Sequence, residues 1–177
     1  KGLPMLVKAW AEVRPQGWRM LVVGPSEGGH RELVQRMLTE HGIAGDWEFR
    51  DAVDGAERWR LLANSELMIL PTYSENFGIA IAEALGVGTP VLTTTGTPWR
   101  GLEQHRCGWW IDPDVASLAS ALETATRMNR QELKAMGAAG RSWMAREFTW
   151  PSIAQQMLAA YRWALGQGDQ PTCVSLT

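Results

Sequence analysis

The sequence predicts an α/β protein with a doubly wound, Rossmann-like parallel sheet that carries helices on both faces. Short apolar runs typical of buried strands alternate with longer segments whose apolar residues recur at helical spacing. The connections between these segments are short, as they are in successive β–α units. The chain has 177 residues, which fits one domain that buries roughly two-thirds of its unfolded surface.

Five apolar runs predict the strands. The first ends in a glycine, and the third leads into a proline-containing turn. Each of the first four runs is followed by a connection or helix before the next run, which favours parallel pairing. In chain order the predicted strands cover residues 19–24, 47–50, 67–70, 90–93 and 108–111.

Segments with apolar residues on one side predict seven helices. They cover residues 3–13, 30–41, 57–64, 77–87, 115–127, 130–147 and 152–165. Several of the ten tryptophans, among them Trp10, Trp143 and Trp163, fall in these helices, where packing into a core or an interface is expected. Residues 1–165 therefore form the predicted domain, and the polar, turn-rich residues 166–177 are expected to be a flexible tail.

The composition argues against several classes of function. A net charge of −2 gives no overall basis for binding nucleic acid or anionic membranes. The two cysteines, Cys107 and Cys173, do not make a disulfide framework, and no Cys/His spacing resembles a metal site. No apolar run reaches the roughly 18–20 residues that span a bilayer. We therefore expect a protein of the reducing cytoplasm that uses no metal.

The segment LPTYSENFGIAIAE, residues 70–83, contains the most informative pattern. Glu75 and Glu83 flank the expected start of a helix that follows directly on a buried strand. Carboxylates accept hydrogen bonds from vicinal hydroxyls, and the unpaired N–H groups of a helix N-terminus bind phosphate. Their combination predicts a polyhydroxylated, anionic ligand. Spacing alone leaves open that both glutamates are solvated or capping residues.

The surroundings of this segment resemble glycosyltransferase family 4, whose members are retaining enzymes of the GT-B fold that use nucleotide-sugar donors. The segment itself is similar to the family's E-x7-E signature. Other matches follow in the family's order: KGL at residues 1–3, RMLVVG at 19–24, WEFRDAV at 47–53, GWWIDP at 108–113 and FTW at 148–150. The resemblance covers nearly all of residues 1–165 and identifies them as the C-terminal, donor-binding half of such an enzyme.

The resemblance implies a role for three charged residues. Glu83 matches the glutamate that holds the ribose hydroxyls of the donor, and Glu75 matches the one that contacts the transferred sugar. Lys1 matches the lysine that pairs with the diphosphate, where its charge stabilises the leaving group without a metal. Glu75 and Lys1 are therefore the expected catalytic residues.

The resemblance also assigns backbone contacts. The amides of Asn76, Phe77 and Gly78 match those that reach the sugar and the distal phosphate. The N–H group of Ile79 lies at the same helix N-terminus. Val53 lies where the family's backbone meets the base, although Asp51 replaces a usual glycine nearby.

Two loops remain open to interpretation. The Gly24 loop lacks the spacing of a dinucleotide or P-loop motif, so we expect a strand-to-helix turn bordering the donor site, with His30 as a structural residue. The loop at 94–101 lies either near the diphosphate or outside the site. Trp99 and Arg100 are candidates for contact with an acceptor or with another domain.

The expected partners are a nucleotide-sugar donor and an N-terminal acceptor-binding domain that is absent from this chain. A full-length protein is also a candidate for peripheral membrane association, and a nucleotide sugar would be a substrate, so no cofactor is expected. We expect transfer of a hexose-type sugar to a carbohydrate or lipid-linked acceptor, and the 177 residues alone to be inactive. A sugar-nucleotide epimerase on the same fold and a non-catalytic nucleotide-sugar-binding subunit are the alternatives.

Overall fold

A computed structural model describes residues 1–175 of the chain, and within them eight α-helices and five β-strands follow one another. In chain order they are α1 (Leu3–Val13), β1 (Met20–Val23), α2 (His30–Glu40), β2 (Trp47–Arg50), α3 (Gly55–Ala63), β3 (Met68–Leu70), α4 (Ile79–Val87), β4 (Val91–Thr94), α5 (Gly101–Gln104), β5 (Gly108–Ile111), α6 (Val115–Arg127), α7 (Arg130–Glu147) and α8 (Trp150–Ala164). A 3₁₀ turn at Ala44–Asp46 leads into β2.

All strand pairs that the hydrogen bonds define in residues 1–175 are parallel. β1 pairs with β2, with Met20 opposite Trp47, and β4 lies between β3 and β5 in a second ladder. In that ladder Val91 lies opposite both Met68 and Gly108. The carboxyl ends of the strands in each ladder therefore point the same way, and the loops that follow them emerge at one edge.

Helices cover both faces of the three-stranded sheet, because the side chains of β3, β4 and β5 alternate between two apolar clusters. In β4, Leu92 packs with the cluster that contains α1, α2 and α6, whereas Val91 packs with the cluster that contains α4 and α7. In β5, Trp109 joins the first cluster and Trp110 the second. This confirms the predicted doubly wound α/β architecture.

Helices α6 and α7 begin at the predicted residues, and a polar side chain caps each of them. The Asn129 side chain accepts hydrogen bonds from the backbone of Gln131 and Glu132 and completes a capping box, so α7 begins at the predicted residue. Asp114 caps α6 in the same manner through Ser117 N.

Three helices begin two residues away from the predicted start. Helix α4 begins at Ile79 rather than at residue 77, because Gly78 has a left-handed backbone with φ +80° and cannot lie inside a right-handed helix. Helix α8 begins at Trp150, two residues early, because the Thr149 hydroxyl accepts from Ser152 N. Helix α3 begins at Gly55 rather than at residue 57. The four-residue helix α5 was not predicted.

The tryptophans and cysteines lie largely as expected. Trp10 and Trp143 are buried and Trp163 is half-buried. Cys107 is buried and Cys173 exposed, and both are free thiols. The predicted tail at 166–177 remains a prediction, and its last two residues, 176 and 177, lie outside the described part of the chain.

Candidate functional site

The candidate site is the turn between β3 and α4, residues 71–78, which the β4–α5 loop holds in place. Thr93 Oγ1 donates to Leu70 O at 2.8 Å, and the Thr94 hydroxyl donates to Thr72 O. Glu75 N donates to Gly96 O at 2.8 Å. The buried threonines Thr93 and Thr94 at the end of β4 therefore use their hydroxyls to support the end of β3 and the turn after it, which favours a scaffolding role over direct contact with a ligand.

An aromatic cluster packs beneath the turn. The Trp99 indole N–H donates to Phe77 O, and the two rings lie 5.3 Å apart between centroids. Trp99 also stacks on Phe148 at 5.4 Å and meets Trp143 edge-on at 5.6 Å. Because Trp99 is fully buried, it is a packing residue and not a surface contact for an acceptor. Arg100 beside it is exposed.

Lys1 and Glu75, the two predicted catalytic residues, form a salt bridge across 74 positions of sequence. The chain start is fixed there because Gly2 N donates to Pro71 O at 2.6 Å. A side chain at Gly2 would place its Cβ only 2.7 Å from that same oxygen, so the approach requires glycine. The Glu75 side chain is 22% exposed and that of Lys1 56%.

The hydrogen bond from the Lys1 ammonium lowers the pKa of the Glu75 carboxyl below its ordinary value. Burial opposes this shift, whereas the charge of Lys1 and the N–H of Asn76 reinforce it. Glu75 is therefore ionised at neutral pH and acts as a hydrogen-bond acceptor. A carboxylate in that state positions hydroxyls and has no proton to give.

The N-terminus of α4 presents the backbone groups that the sequence predicted. Within residues 1–175, the N–H groups of Phe77, Gly78 and Ile79 have no backbone acceptor. The Asn76 N–H lies against the Glu75 carboxylate. These amides and the helix dipole make a positive position beside Lys1, which suits an anion such as phosphate.

Glu83 lies on the second turn of α4, four residues after Ile79 and about 6 Å further along the helix axis. Its carboxylate is 13% exposed, and Arg58 Nη2 from α3 lies 2.8 Å from Glu83 Oε1. This pairing was not predicted, because it depends on how α3 packs against α4.

The carboxyl ends of β1 and β2 are joined by Arg31 near the predicted base-binding edge. Its guanidinium donates to Gly24 O at 3.2 Å, to Arg50 O at 3.3 Å and to Asp51 Oδ1 at 3.0 Å. The Asp51 that departs from the family pattern thus has a partner, and Val53 follows it as a half-buried residue. Arg31 is a second residue that sequence reasoning missed.

His30 opens α2 just after the Gly24 loop. Its Nε2 is buried and has no hydrogen-bond partner among the residues that the structure describes. No carboxylate among residues 1–175 forms a hydrogen bond that would orient the ring for a role as a base, so the arrangement favours a structural residue here.

The described part of the chain contains no cluster of three or more His, Cys, Asp or Glu residues that would hold a metal. The expectation of a metal-free site stays a prediction. No helix among residues 1–175 is both long and apolar enough to cross a bilayer.

Comparison with known proteins identifies the family. The family model described as "Glycosyl transferases group 1" matches residues 1–127. The chain is 33% identical over 178 residues to D-inositol 3-phosphate glycosyltransferase from Segniliparus rotundus, covering 95% of this chain and 38% of that protein. It is 27% identical to the MMP alpha-(1->4)-mannosyltransferase from Mycolicibacterium hassiacum, covering 76% of this chain and 33% of the relative. The chain thus spans well under half the length of these relatives.

Solved structures agree on the fold. Sucrose-phosphate synthase from Thermosynechococcus elongatus superposes with a TM-score of 0.79 at 26% identity, covering 94% of this chain and 43% of that one. The Anabaena protein Alr3699/HepE in complex with UDP gives a TM-score of 0.78 at 22% identity, covering 91% and 45%. With the family match, these likenesses lead to one conclusion: the chain belongs to the glycosyl transferases group 1 family, and its fold is the C-terminal half of a GT-B glycosyltransferase.

Proposed function

We propose that this chain is the donor-binding half of a retaining glycosyltransferase. It binds a nucleoside-diphosphate sugar, and the sugar passes to a carbohydrate or lipid-linked acceptor held by an N-terminal domain outside this chain. The observation that carries the proposal is the Lys1–Glu75 pair beside the unpartnered amides of α4. This arrangement offers free N–H groups and an ionised carboxylate at one turn of the chain, with the Lys1 cation paired to that carboxylate.

These groups, together with Glu83, match the diphosphate, the transferred sugar and the ribose of a nucleotide sugar. The amides of Phe77, Gly78 and Ile79 and the Lys1 ammonium take the diphosphate, whose charge the helix dipole also favours. Glu75 accepts hydrogen bonds from hydroxyls of the sugar, and Glu83, one helical turn further on, accepts them from the ribose. On donor binding Lys1 exchanges the Glu75 carboxylate for the diphosphate.

The reaction that follows breaks the bond between the anomeric carbon and the diphosphate oxygen. The diphosphate leaves with the electron pair, the acceptor hydroxyl attacks from the same face, and its proton passes to the departing diphosphate oxygen, so the configuration is retained. Lys1 and the α4 amides stabilise the charge that grows on the leaving oxygen. Glu75 and Glu83 position the donor, and neither serves as a base.

Calorimetric titration with UDP-, GDP- and ADP-glucose tests the donor role. We expect one of the three to bind, and Glu83→Ala to weaken its binding at least tenfold, because charge-assisted hydrogen bonds to the ribose are lost. Glu123→Ala is the matched control, since Glu123 forms a surface pair with Arg127 on α6. Equal affinity of wild type and Glu83→Ala would refute the ribose assignment.

Transfer itself requires an assay on a longer protein that contains this sequence together with an acceptor domain. Release of the nucleoside diphosphate that depends on an added acceptor would support the transferase. Donor binding without any transfer would instead favour the non-catalytic subunit, and interconversion of two nucleotide sugars without an acceptor would favour the epimerase.

A further inference from the structure

Arg58 on α3 forms an ion pair with Glu83, and the two side chains differ in exposure. Glu83 is 13% exposed and Arg58 45%, with Nη2 of the arginine 2.8 Å from Oε1 of the glutamate. The guanidinium also lies 5.2 Å from the ring centroid of Trp59. The largely buried carboxylate of Glu83 on α4 is therefore paired with a partly exposed cation on the neighbouring helix α3.

This geometry limits where the Glu83 carboxylate points. An ionised carboxylate that is mostly removed from water needs a partner, and Arg58 supplies one. A guanidinium N–H occupies one of about four lone-pair sites on the two oxygens, which leaves acceptor capacity for a pair of vicinal hydroxyls. The contact between Arg58 and the Trp59 ring in turn restricts the arginine.

We propose that Arg58 is a positioning residue for donor binding, which holds Glu83 in the orientation that reads the ribose hydroxyls. The proposal rests on the proposed function, because it assumes that Glu83 contacts the ribose. It adds that recognition of ribose is shared between α3 and α4. Arg58 stays paired with Glu83 when the nucleotide is bound and does not have to leave first.

The test compares ribose with deoxyribose. UDP, GDP and ADP are titrated beside their 2′-deoxy forms into the wild type and into Arg58→Met, Arg58→Lys and the control Arg127→Met. Arg127 pairs with Glu123 at 2.6 Å on α6, so its substitution removes a comparable ion pair from another part of the protein. Thermal unfolding of each variant reports whether the fold is retained, and Arg58→Lys serves if Arg58→Met does not fold.

We expect the wild type to prefer the ribonucleotide. Arg58→Met should weaken binding of the ribonucleotide about tenfold, the size of one charge-assisted hydrogen bond, and leave the deoxynucleotide nearly unchanged. The preference for ribose would then largely disappear. Arg58→Lys should restore part of it, and Arg127→Met should behave as the wild type. A purely structural role would lower both affinities by the same factor.

Besides an equal loss of both affinities, three results would overturn the inference. If Arg58→Met keeps the wild-type preference for ribose while Glu83→Gln loses it, Glu83 reads the ribose without help and only this inference fails. If Arg58→Met binds the ribonucleotide more tightly, Arg58 competes with the donor. If the wild type binds none of the nucleotides, the proposed function fails with it.

Discussion

Replacing Glu75 with glutamine separates the two contacts that we assign to this residue. The substitution keeps the shape and one acceptor oxygen but removes the charge. For the sugar, a charge-assisted hydrogen bond of about 1.5–3 kcal/mol becomes a neutral one of about 0.5–1.5 kcal/mol, a loss of about 1 kcal/mol. Pairing of Lys1 with the diphosphate should instead become more favourable, because the lysine no longer has to leave a carboxylate first.

The size of this second effect follows from exposure. Lys1 is 56% and Glu75 22% exposed, so their pair falls in the range of surface pairs and contributes at most about 1 kcal/mol. Glu75→Gln should therefore bind the free nucleoside diphosphate as tightly as the wild type or up to about fivefold more tightly. Binding of the nucleotide sugar, measured against the free diphosphate, should fall by roughly fivefold.

Calorimetry of both ligands in one buffer measures the two effects together. The wild type and Glu123→Gln provide the baseline, since Glu123 lies on the far helix α6. A variant that weakens the nucleotide sugar and the free diphosphate by the same factor would refute the reasoning. That result would mean that Glu75 holds the turn rather than the sugar.

Two further outcomes are expected. The pKa of Glu75 is lowered in the folded protein. The Lys1–Glu75 pair therefore contributes stability above the ordinary pKa of a glutamate, and this contribution is lost as the pH falls through the lowered pKa. The difference in unfolding free energy between the wild type and Glu75→Gln, at most about 1 kcal/mol at pH 7, should disappear in acid. Gly78→Ala should lower stability by about 1–2 kcal/mol and weaken diphosphate binding, because φ is +80° and the new Cβ would lie 3.1 Å from Ile81 Cδ1. Chemical denaturation and calorimetry check both, and an unchanged Gly78→Ala variant would contradict the second.

The sequence predicted most of the fold because its local signals agree with one another. Helix α7 has its capping box at Asn129, and its bounds were predicted correctly. The start of α4 was not, since the pattern did not show that Gly78 adopts a left-handed conformation. The helix α5 has only four residues, too few for a periodic pattern to mark it.

Of the three charged residues that the sequence predicted for the site, the structure pairs Lys1 with Glu75 and Glu83 with Arg58, and the sequence foresaw neither pairing. The pairing of Lys1 with Glu75 joins positions 74 residues apart, and the hydrogen bond from Gly2 N to Pro71 O brings the two segments together. Arg58 and Arg31 were missed for the same reason: a cation on a helix surface carries no mark of the carboxylate on the neighbouring element. Whether each predicted residue touches a donor remains a prediction that binding experiments decide.

The aromatic stack beneath the turn has a mechanical consequence. Phe148 at the end of α7 stacks on Trp99, and Trp99 holds the carbonyl of Phe77. The rings of Phe148 and Trp99 therefore connect the junction of α7 and α8 to the turn that carries the amides of Phe77 and Gly78. A displacement of α7 or α8 would shift these rings and, with them, the backbone at Phe77, where we expect the leaving diphosphate to bind.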